Sequence, residues 1–263
     1  MSLLLVSIAI FVIAVLMTMT GRGGGNFYVL ILVVAGQAMH QAATTAQFIL
    51  LLTAFSGMLV FQKHKLVDWK LALVIDPPTD IMALVGGYFS EYASGMSLKL
   101  ILSGLLVIAG FLMLVNVQDK PILRQRKLGY WYRTFQGQEY VVNLWLTIPI
   151  TALAGLAAGA VGISCGSFKV PLMVLLCGVP MGIAVGTSSA MVAATAIMGF
   201  TGHALQGHFE PTWAVPLACI AVLGGVIGGK FAIKTRPAHL KKIFAFTTLG
   251  AAMLMVCNAF FSQ

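Results

Sequence analysis

The sequence GRGGGN at residues 21–26 separates an apolar run at 3–20 from a shorter apolar run at 27–39. Glycine costs about 1 kcal/mol in a helix interior relative to alanine, so four glycines in five positions mark an interrupted helix. Irregular backbone survives at membrane depth only inside protein or along a watery cavity. If the flanking runs lie in a bilayer, the break therefore predicts a discontinuous membrane helix.

The composition places those runs in a bilayer. Hydrophobic residues make up 59% of the 263 residues and charged residues only 9%, whereas a soluble domain has about 25% charged residues. The mean hydropathy of +0.96 also excludes disordered and low-complexity proteins. The net charge of +9 comes from Lys and Arg in a few short loops, so the positive-inside rule explains it without a nucleic-acid partner. We expect an all-α polytopic protein of the cell inner membrane, with the lipid bilayer as its surroundings.

The sequence indicates an internal duplication. A second break, GISCGS at 162–167, lies 141 residues after the first, and sliding by 142 residues pairs Gly86-Gly87 with Gly228-Gly229. Each half holds about five apolar segments of the kind that cross a membrane. We predict three regions, which are a first membrane repeat at 1–117, a cytoplasmic connector at 118–140 and a second membrane repeat at 141–263.

Loop charge predicts that the two repeats are inverted. The loop at 230–242 carries five Lys and Arg residues, whereas its counterpart at 88–99 has only Lys99. Basic loops stay in the cytoplasm, so matched loops lie on opposite sides. Both termini are then outside and the connector is inside. This topology requires the short segments at 27–39 and 168–180 to cross fully, and the sequence leaves open whether they cross or dip and return.

Both glycine breaks are candidate anion sites. A break exposes N–H groups at the start of the next helix, where the partial positive charge favours an anion. The alternative is that the glycines only let helices pack tightly, while the basic side chains reach towards the interface. Occurrence in both repeats favours binding. The candidate residues are Arg22, Gly23, Gly24, Gly25 and Asn26 in the first break, and Ser164, Cys165, Gly166, Ser167 and Lys169 in or just after the second.

Hydroxyl and amide side chains follow each break at the start of the third segment. They could donate hydrogen bonds to the oxygens of a ligand without burying charge, or they could cap helices and join them together in lipid. The candidates for substrate binding are Thr45, Gln47, Thr187, Ser188 and Ser189.

Two aspartates mark a candidate path for a coupling ion. Asp76 and Asp80 flank Pro77-Pro78 and share one face if the helix continues through the prolines. A carboxylate inside the membrane is costly and by default indicates a proton or ion path. The alternative is that the aspartates are partners for Arg22 or Lys99. His203 is a further candidate proton carrier.

Motifs of other protein classes are missing from the sequence. It contains no P-loop, no H-E-x-x-H and no G-x-S-x-G, so we expect no ATP-driven transport, no metal site, no cofactor and no enzyme. The cysteines lie within or beside apolar runs and form no C-x-x-C pair. We interpret them as buried thiols.

The glycine pattern resembles the TauE/SafE family of sulfite and organosulfonate exporters. The resemblance lies in Gly155, Gly159, Gly162 and Gly166, then Val170-Pro171-Leu172, Ala184-Val185-Gly186-Thr187-Ser188, Gly207, Gly224-Gly225 and Gly228, with a weaker version at Gly21 to Gly25, Thr45 and Gly86-Gly87. It covers nearly the whole chain. The sequence departs from the family pattern at Arg22, at Ser164-Cys165 and at Leu30, which stands where the second half has Pro171. The resemblance implies a secondary transporter of small sulfur-containing anions.

The resulting hypothesis is a proton- or gradient-coupled carrier with one site at the membrane midplane between the repeats. The two broken helices would hold the small anion, Arg22 and Lys169 would supply charge, and the Thr and Ser cluster would supply hydrogen bonds. An anion-selective channel is the main alternative, because the same pore chemistry would suit it. A membrane-embedded thiol enzyme that uses Cys165 is a more distant one.

Overall fold

The structure, a computed structural model, describes residues 3–89, 103–104, 107–108, 110–111, 113–114, 128–161, 166–204 and 209–261. These residues are helical apart from one β-hairpin, turns and short connections, which confirms an all-α polytopic membrane protein. The longer elements are α1 Leu3–Met19, α2 Gly25–Val34, α3 Met39–Lys63, α4 Trp69–Phe89, β1 Tyr130–Phe135, β2 Gln138–Asn143, α5 Leu144–Val161, α6 Gly166–Leu175, α7 Met181–Ala204, α8 Pro211–Lys234 and α9 Pro237–Phe261.

Three helical stretches among the described residues are long and apolar enough to cross a bilayer, namely Gln41–Lys63, Met181–Met198 and Pro211–Lys234. The helices that follow the two breaks are much shorter. α2 and α6 each have 10 residues, and at 1.5 Å per residue each is about 15 Å long. That length is roughly half of a hydrocarbon core of about 30 Å.

Glycine sets both ends of α2. Its N-cap residue, Gly24, has the left-handed φ of 87°. At the other end Gly36 has a φ of 103°, its N–H donates to Val33 O, and the next N–H, from Gln37, donates to Leu32 O. This pair of bonds is a Schellman motif, which ends a helix at a left-handed residue.

The contacts divide the chain into two compact units, and each unit draws on both halves of the sequence. The first comprises Met1–Val67 with Val185–Thr235, and the second comprises Asp68–Ala184 with Arg236–Gln263. Compactness and sequence duplication therefore divide the chain differently. The duplication, with its repeats at 1–117 and 141–263, stays a prediction.

In the first unit, α1 and α3 pack on α8. Small residues bring the backbones close, since a Cβ at Gly224 would lie 2.6 Å from Ala14 Cβ. The core of this unit includes Tyr28, Leu32, Ile49 and Leu217. The packing therefore joins helices from the beginning and the end of the sequence.

In the second unit, α4 packs along α5. The two backbones meet where Gly155 lies against the carbonyl oxygen of Thr79, so closely that a Cβ at residue 155 would overlap that oxygen. α4 is one continuous helix although Pro77 and Pro78 lie inside it. The condition that places Asp76 and Asp80 on one helix face is therefore met.

A hairpin that the sequence reasoning missed spans the end of the predicted connector at 118–140 and the three residues after it. β1 and β2 pair antiparallel, with Phe135 opposite Gln138, and the two turn residues Gln136 and Gly137 have φ values of 51° and 71°. Two positive φ values identify a type I′ turn. The first helix of the predicted second repeat therefore begins at Leu144, because residues 141–143 belong to β2.

Candidate functional site

The first glycine break is a defined connection between α1 and α2. Gly21 ends α1 as the left-handed residue of a Schellman motif, with its N–H donating to Thr18 O at 3.0 Å and the N–H of Arg22 donating to Met17 O at 3.0 Å. Gly23 and Gly24 are also left-handed, whereas Gly25 is the first residue of α2. The break is confirmed, and three of its four glycines hold a backbone conformation that other residues rarely adopt.

Close packing is a second reason for glycine in this break. A Cβ at Gly23 would lie 2.8 Å from Val192 Cγ1, and a Cβ at Gly25 would lie 2.9 Å from Leu50 Cδ2. These contacts come from α7 and α3 of the same unit. The glycines are thus explained by backbone and packing, and binding of a ligand to them stays a proposal.

Arg22 is the charged residue of the break, and it is only 5% exposed. Gly24, the N-cap residue of α2, has no side chain. The N–H groups at the N-terminus of that helix therefore receive no side-chain capping bond from it. Asn26, in the first turn of α2, is exposed. Among the candidates in this break, Arg22 combines burial with charge.

The hydroxyl clusters are largely buried in the same unit. Ser188 donates a hydrogen bond of 2.7 Å to the carbonyl oxygen of Gly21, which joins the cluster of the second half to the break of the first half. Thr187 and Ser189 are buried as well, whereas Gln47 is partly exposed. Thr45 is fully buried, and no described residue bonds to its hydroxyl oxygen.

The second unit brings three of the charged candidates, Lys169, Asp76 and Asp80, into one cluster on α4 and α6. The ammonium group of Lys169 donates a hydrogen bond to Asp76 Oδ1, and Asp80 Oδ1 lies 3.6 Å from the same nitrogen. The side chain of Lys169 is 2% exposed, that of Asp76 14% and that of Asp80 24%. The sequence had singled out all three residues, but as separate anion and ion sites and without proposing Lys169 as the partner of the aspartates.

Other candidates lie partly or wholly outside the described residues. Ser164 and Cys165 are outside, and for Ser167 and His203 only the helical backbone is described. Gly166 is the first residue of α6. Among the described residues, the second break therefore contributes the buried side chain of Lys169, and the thiol-enzyme alternative at Cys165 stays a prediction.

Sequence reasoning also missed a polar cluster around Asp68, which is fully buried before α4. Arg133 donates two hydrogen bonds of 2.8 Å to its two oxygens, and the hydroxyl of Tyr140 donates a third. Burial alone would raise the pKa of Asp68, but these bonds outweigh it and hold the pKa below its usual value. The signal for the hairpin was present, since aromatic residues at 130–135 precede the turn residues Gln136-Gly137.

Comparisons with known proteins find similarity to membrane transporters. The family model described as sulfite exporter TauE/SafE matches residues 6–255. A Bacillus subtilis (strain 168) protein named probable membrane transporter protein YunE is 25% identical over 226 residues, which cover 84% of this chain and 82% of that protein. No solved structure matches the chain.

Proposed function

Because the chain belongs to the sulfite exporter TauE/SafE family of membrane transporters, we propose that it carries a small sulfur-containing anion, such as sulfite or an organosulfonate. The carrier would work by gradient-driven exchange across the cell inner membrane. The observation that carries this proposal is Arg22, a guanidinium buried at the broken start of α2. A guanidinium presents a planar fork of donors that matches an oxyanion.

Two further features support an oxyanion in the first unit. The N-terminus of α2 adds partial positive charge next to Arg22. The buried hydroxyl of Thr45 has no partner among the described residues, and a buried polar group left without one costs about 1–3 kcal/mol. A bound sulfur oxyanion would accept a hydrogen bond from such a hydroxyl. The proposed ligand therefore suits both the charge and the hydrogen-bonding capacity of this unit.

The test is a thermal-shift screen of the purified protein against sulfite, sulfate, thiosulfate and several sulfonates. A ligand that binds only the folded state raises the unfolding temperature, and at 100 times its dissociation constant it adds about 2.7 kcal/mol of stability. We expect at least one of these anions to stabilise the protein, and we expect Arg22→Gln to abolish that shift.

The matched control is Arg236→Gln, which removes the same charge from an exposed position just before α9. It should keep the shift. If Arg22→Gln keeps it as well, Arg22 is not the anion-binding residue. Counterflow of labelled anion in liposomes then distinguishes a carrier from a channel, because a channel cannot drive an anion against its gradient by exchange.

A further inference from the structure

Four exposed lysines lie together at one end of the first unit. A Cβ at Gly225 on α8 would lie 3.5 Å from Ser56 Cβ on α3. One turn later along both helices, a Cβ at Gly229 would lie 3.1 Å from Val60 Cβ. The two helices therefore run parallel and end side by side. Their ends and the connection after α3 carry the exposed lysines, which are Lys63, Lys65, Lys230 and Lys234.

The first unit has no carboxylate of its own near these lysines. Met1–Val67 and Val185–Thr235 together contain one acidic residue, Glu210. Glu210 is the N-cap residue of α8, which has 24 residues and ends at Lys234. At 1.5 Å per residue, the two residues lie about 36 Å apart along the helix. The counter-charge for the four ammonium groups must therefore come from outside this unit.

The surface next to the lysines is apolar. Leu59, one turn before Lys63 on the same face of α3, is 51% exposed, and Phe231, three residues before Lys234, is 53% exposed. Lys63 and Lys234 are also the last residues of two stretches that are long and apolar enough to cross a bilayer. In a membrane, the ammonium groups therefore lie at the height of the lipid headgroups and the two apolar side chains at the height of the acyl chains.

We infer that this end of the first unit binds an anionic phospholipid from the leaflet predicted to be cytoplasmic. The lipid phosphate would lie among the four lysines, and its acyl chains would pack on Leu59 and Phe231. Clusters of four to eight basic residues directly cytoplasmic of membrane helices bind anionic headgroups, and each basic residue near the surface contributes about a 5-fold gain in affinity. This inference goes beyond the proposed function and does not depend on the anion that is carried.

The apolar contact favours a lipid over a soluble polyanion. A soluble polyanion would match the charge of the lysines but would leave Leu59 and Phe231 unused. A phospholipid matches both features, because its phosphate and its acyl chains have the same order along the membrane normal as the ammonium groups and the apolar side chains. Its negative charge would also offset the mutual repulsion of four ammonium groups at the ends of two packed helices.

The experiment measures which lipid contacts this surface. The full chain without native cysteines carries Phe231→Cys labelled with a small apolar fluorophore, in phosphatidylcholine vesicles. A minor fraction of the lipid is brominated, either as phosphatidylglycerol or as phosphatidylcholine, and bromine quenches a fluorophore that it contacts. We expect brominated phosphatidylglycerol to quench at a much lower fraction of the lipid than brominated phosphatidylcholine.

Variants assign that preference to the lysines. Lys230→Gln with Lys234→Gln should reduce the preference by about 30-fold, since each lysine contributes about 5-fold. Lys230→Arg with Lys234→Arg keeps the charge and should keep the preference. Arg124→Gln with Arg126→Gln removes the same charge from the predicted connector and should also keep it.

Three outcomes would overturn the inference. They are equal quenching by the two brominated lipids in the labelled protein with all lysines present, an unchanged preference in the glutamine variant of the two lysines, and an equally large loss in the connector variant. The last result would mean that the net charge of the protein attracts the lipid and that this surface has no special role.

Unfolding of the unlabelled wild type in detergent gives a second readout. Short-chain phosphatidylglycerol should raise the unfolding temperature more than short-chain phosphatidylcholine does, because a ligand that binds only the folded state stabilises it. Inorganic polyphosphate should have little effect. Stabilisation by polyphosphate without stabilisation by phosphatidylglycerol would assign the lysines to a soluble polyanion and contradict the inference.

Discussion

The carboxylate of Asp68 connects the start of α4 to the hairpin. Its Oδ1 accepts hydrogen bonds from the N–H groups of Lys70 and Leu71, so it caps the first turn of α4. The same carboxylate receives Arg133 and Tyr140 from the hairpin. A buried carboxylate is tolerated here because its oxygens are occupied by donors from both segments.

Replacement of Arg133 should therefore destabilise the protein in a pH-dependent way. The pKa of Asp68 is lower in the folded protein than in the unfolded chain, where it is about 3.9. The pair thus contributes its full stability above about pH 5 and loses it as the pH falls through the lowered pKa. We expect Arg133→Gln to cost about 1.5–3 kcal/mol at pH 7, measured from unfolding in detergent.

The pH series gives the control for this prediction. The difference between wild type and Arg133→Gln should shrink as the carboxylate becomes protonated. A difference that stays constant down to pH 3 would mean that Arg133 acts through packing against Trp131 and Phe135, whose rings it approaches at 5.6 and 5.7 Å.

Single residues also show where sequence reasoning stops. Lys169 and Asp76 could each be singled out, because charge inside an apolar segment is costly wherever it lies. Their pairing could not be predicted, since they are 93 residues apart and meet only through the packing of α4, α5 and α6. The capping role of Asp68 had a local signal, but its bond to Arg133 depends on the hairpin.

Among the elements, α4 and α5 offer a direct test of how much close backbone packing contributes to stability. The backbone carbonyl of Thr79 occupies the place where residue 155 would carry a Cβ. We expect Gly155→Ala to force the two helices apart and to cost about 1–3 kcal/mol, even though alanine favours a helix by about 1 kcal/mol over glycine. The measurement is the free energy of unfolding in detergent.

Gly104 offers the matched control, since it is helical and exposed and has no atom within 4 Å of a Cβ built on it. Gly104→Ala should be neutral or slightly stabilising. Equal effects from the two substitutions would show that the close approach at Gly155 does not change the free energy of unfolding when a Cβ is added there.

The elements were predictable where the pattern was local. The glycine break and the continuous apolar helices follow from composition and from the conformational freedom of glycine. The hairpin was missed because the connector was interpreted by its charge alone, although its turn residues and aromatic strands were visible. The lengths of α2 and α6 depend on caps, and a cap such as the Schellman motif at Gly36 is harder to place than an apolar run.

For the molecule as a whole, the property at issue is its orientation in the membrane. The opposed loop charges predict both termini outside and the hairpin inside. In a variant without native cysteines, we expect Gln138→Cys to react with a membrane-permeant maleimide but not with an impermeant one in intact cells. A cysteine added after the last residue should react with both.

A C-terminal cysteine that reacts only after permeabilisation would contradict the inverted topology. The ten-residue helices α2 and α6 would then be segments that dip into the membrane and return, because an odd number of crossings per repeat depends on their spanning it.

The interleaving of the two halves also bears on how the protein is made. α1 and α3 leave the ribosome early, but their partner α8 is completed only when Lys234 has been synthesised. Until then the apolar faces that α8 will cover must be held by lipid or by the insertion machinery. Domains usually fold in order during translation, but here assembly of the first unit has to wait for most of the chain. A stalled or truncated product that ends in the connector would enter the membrane with α1 and α3 lacking α8, so it should be a substrate for membrane proteases rather than a stable half.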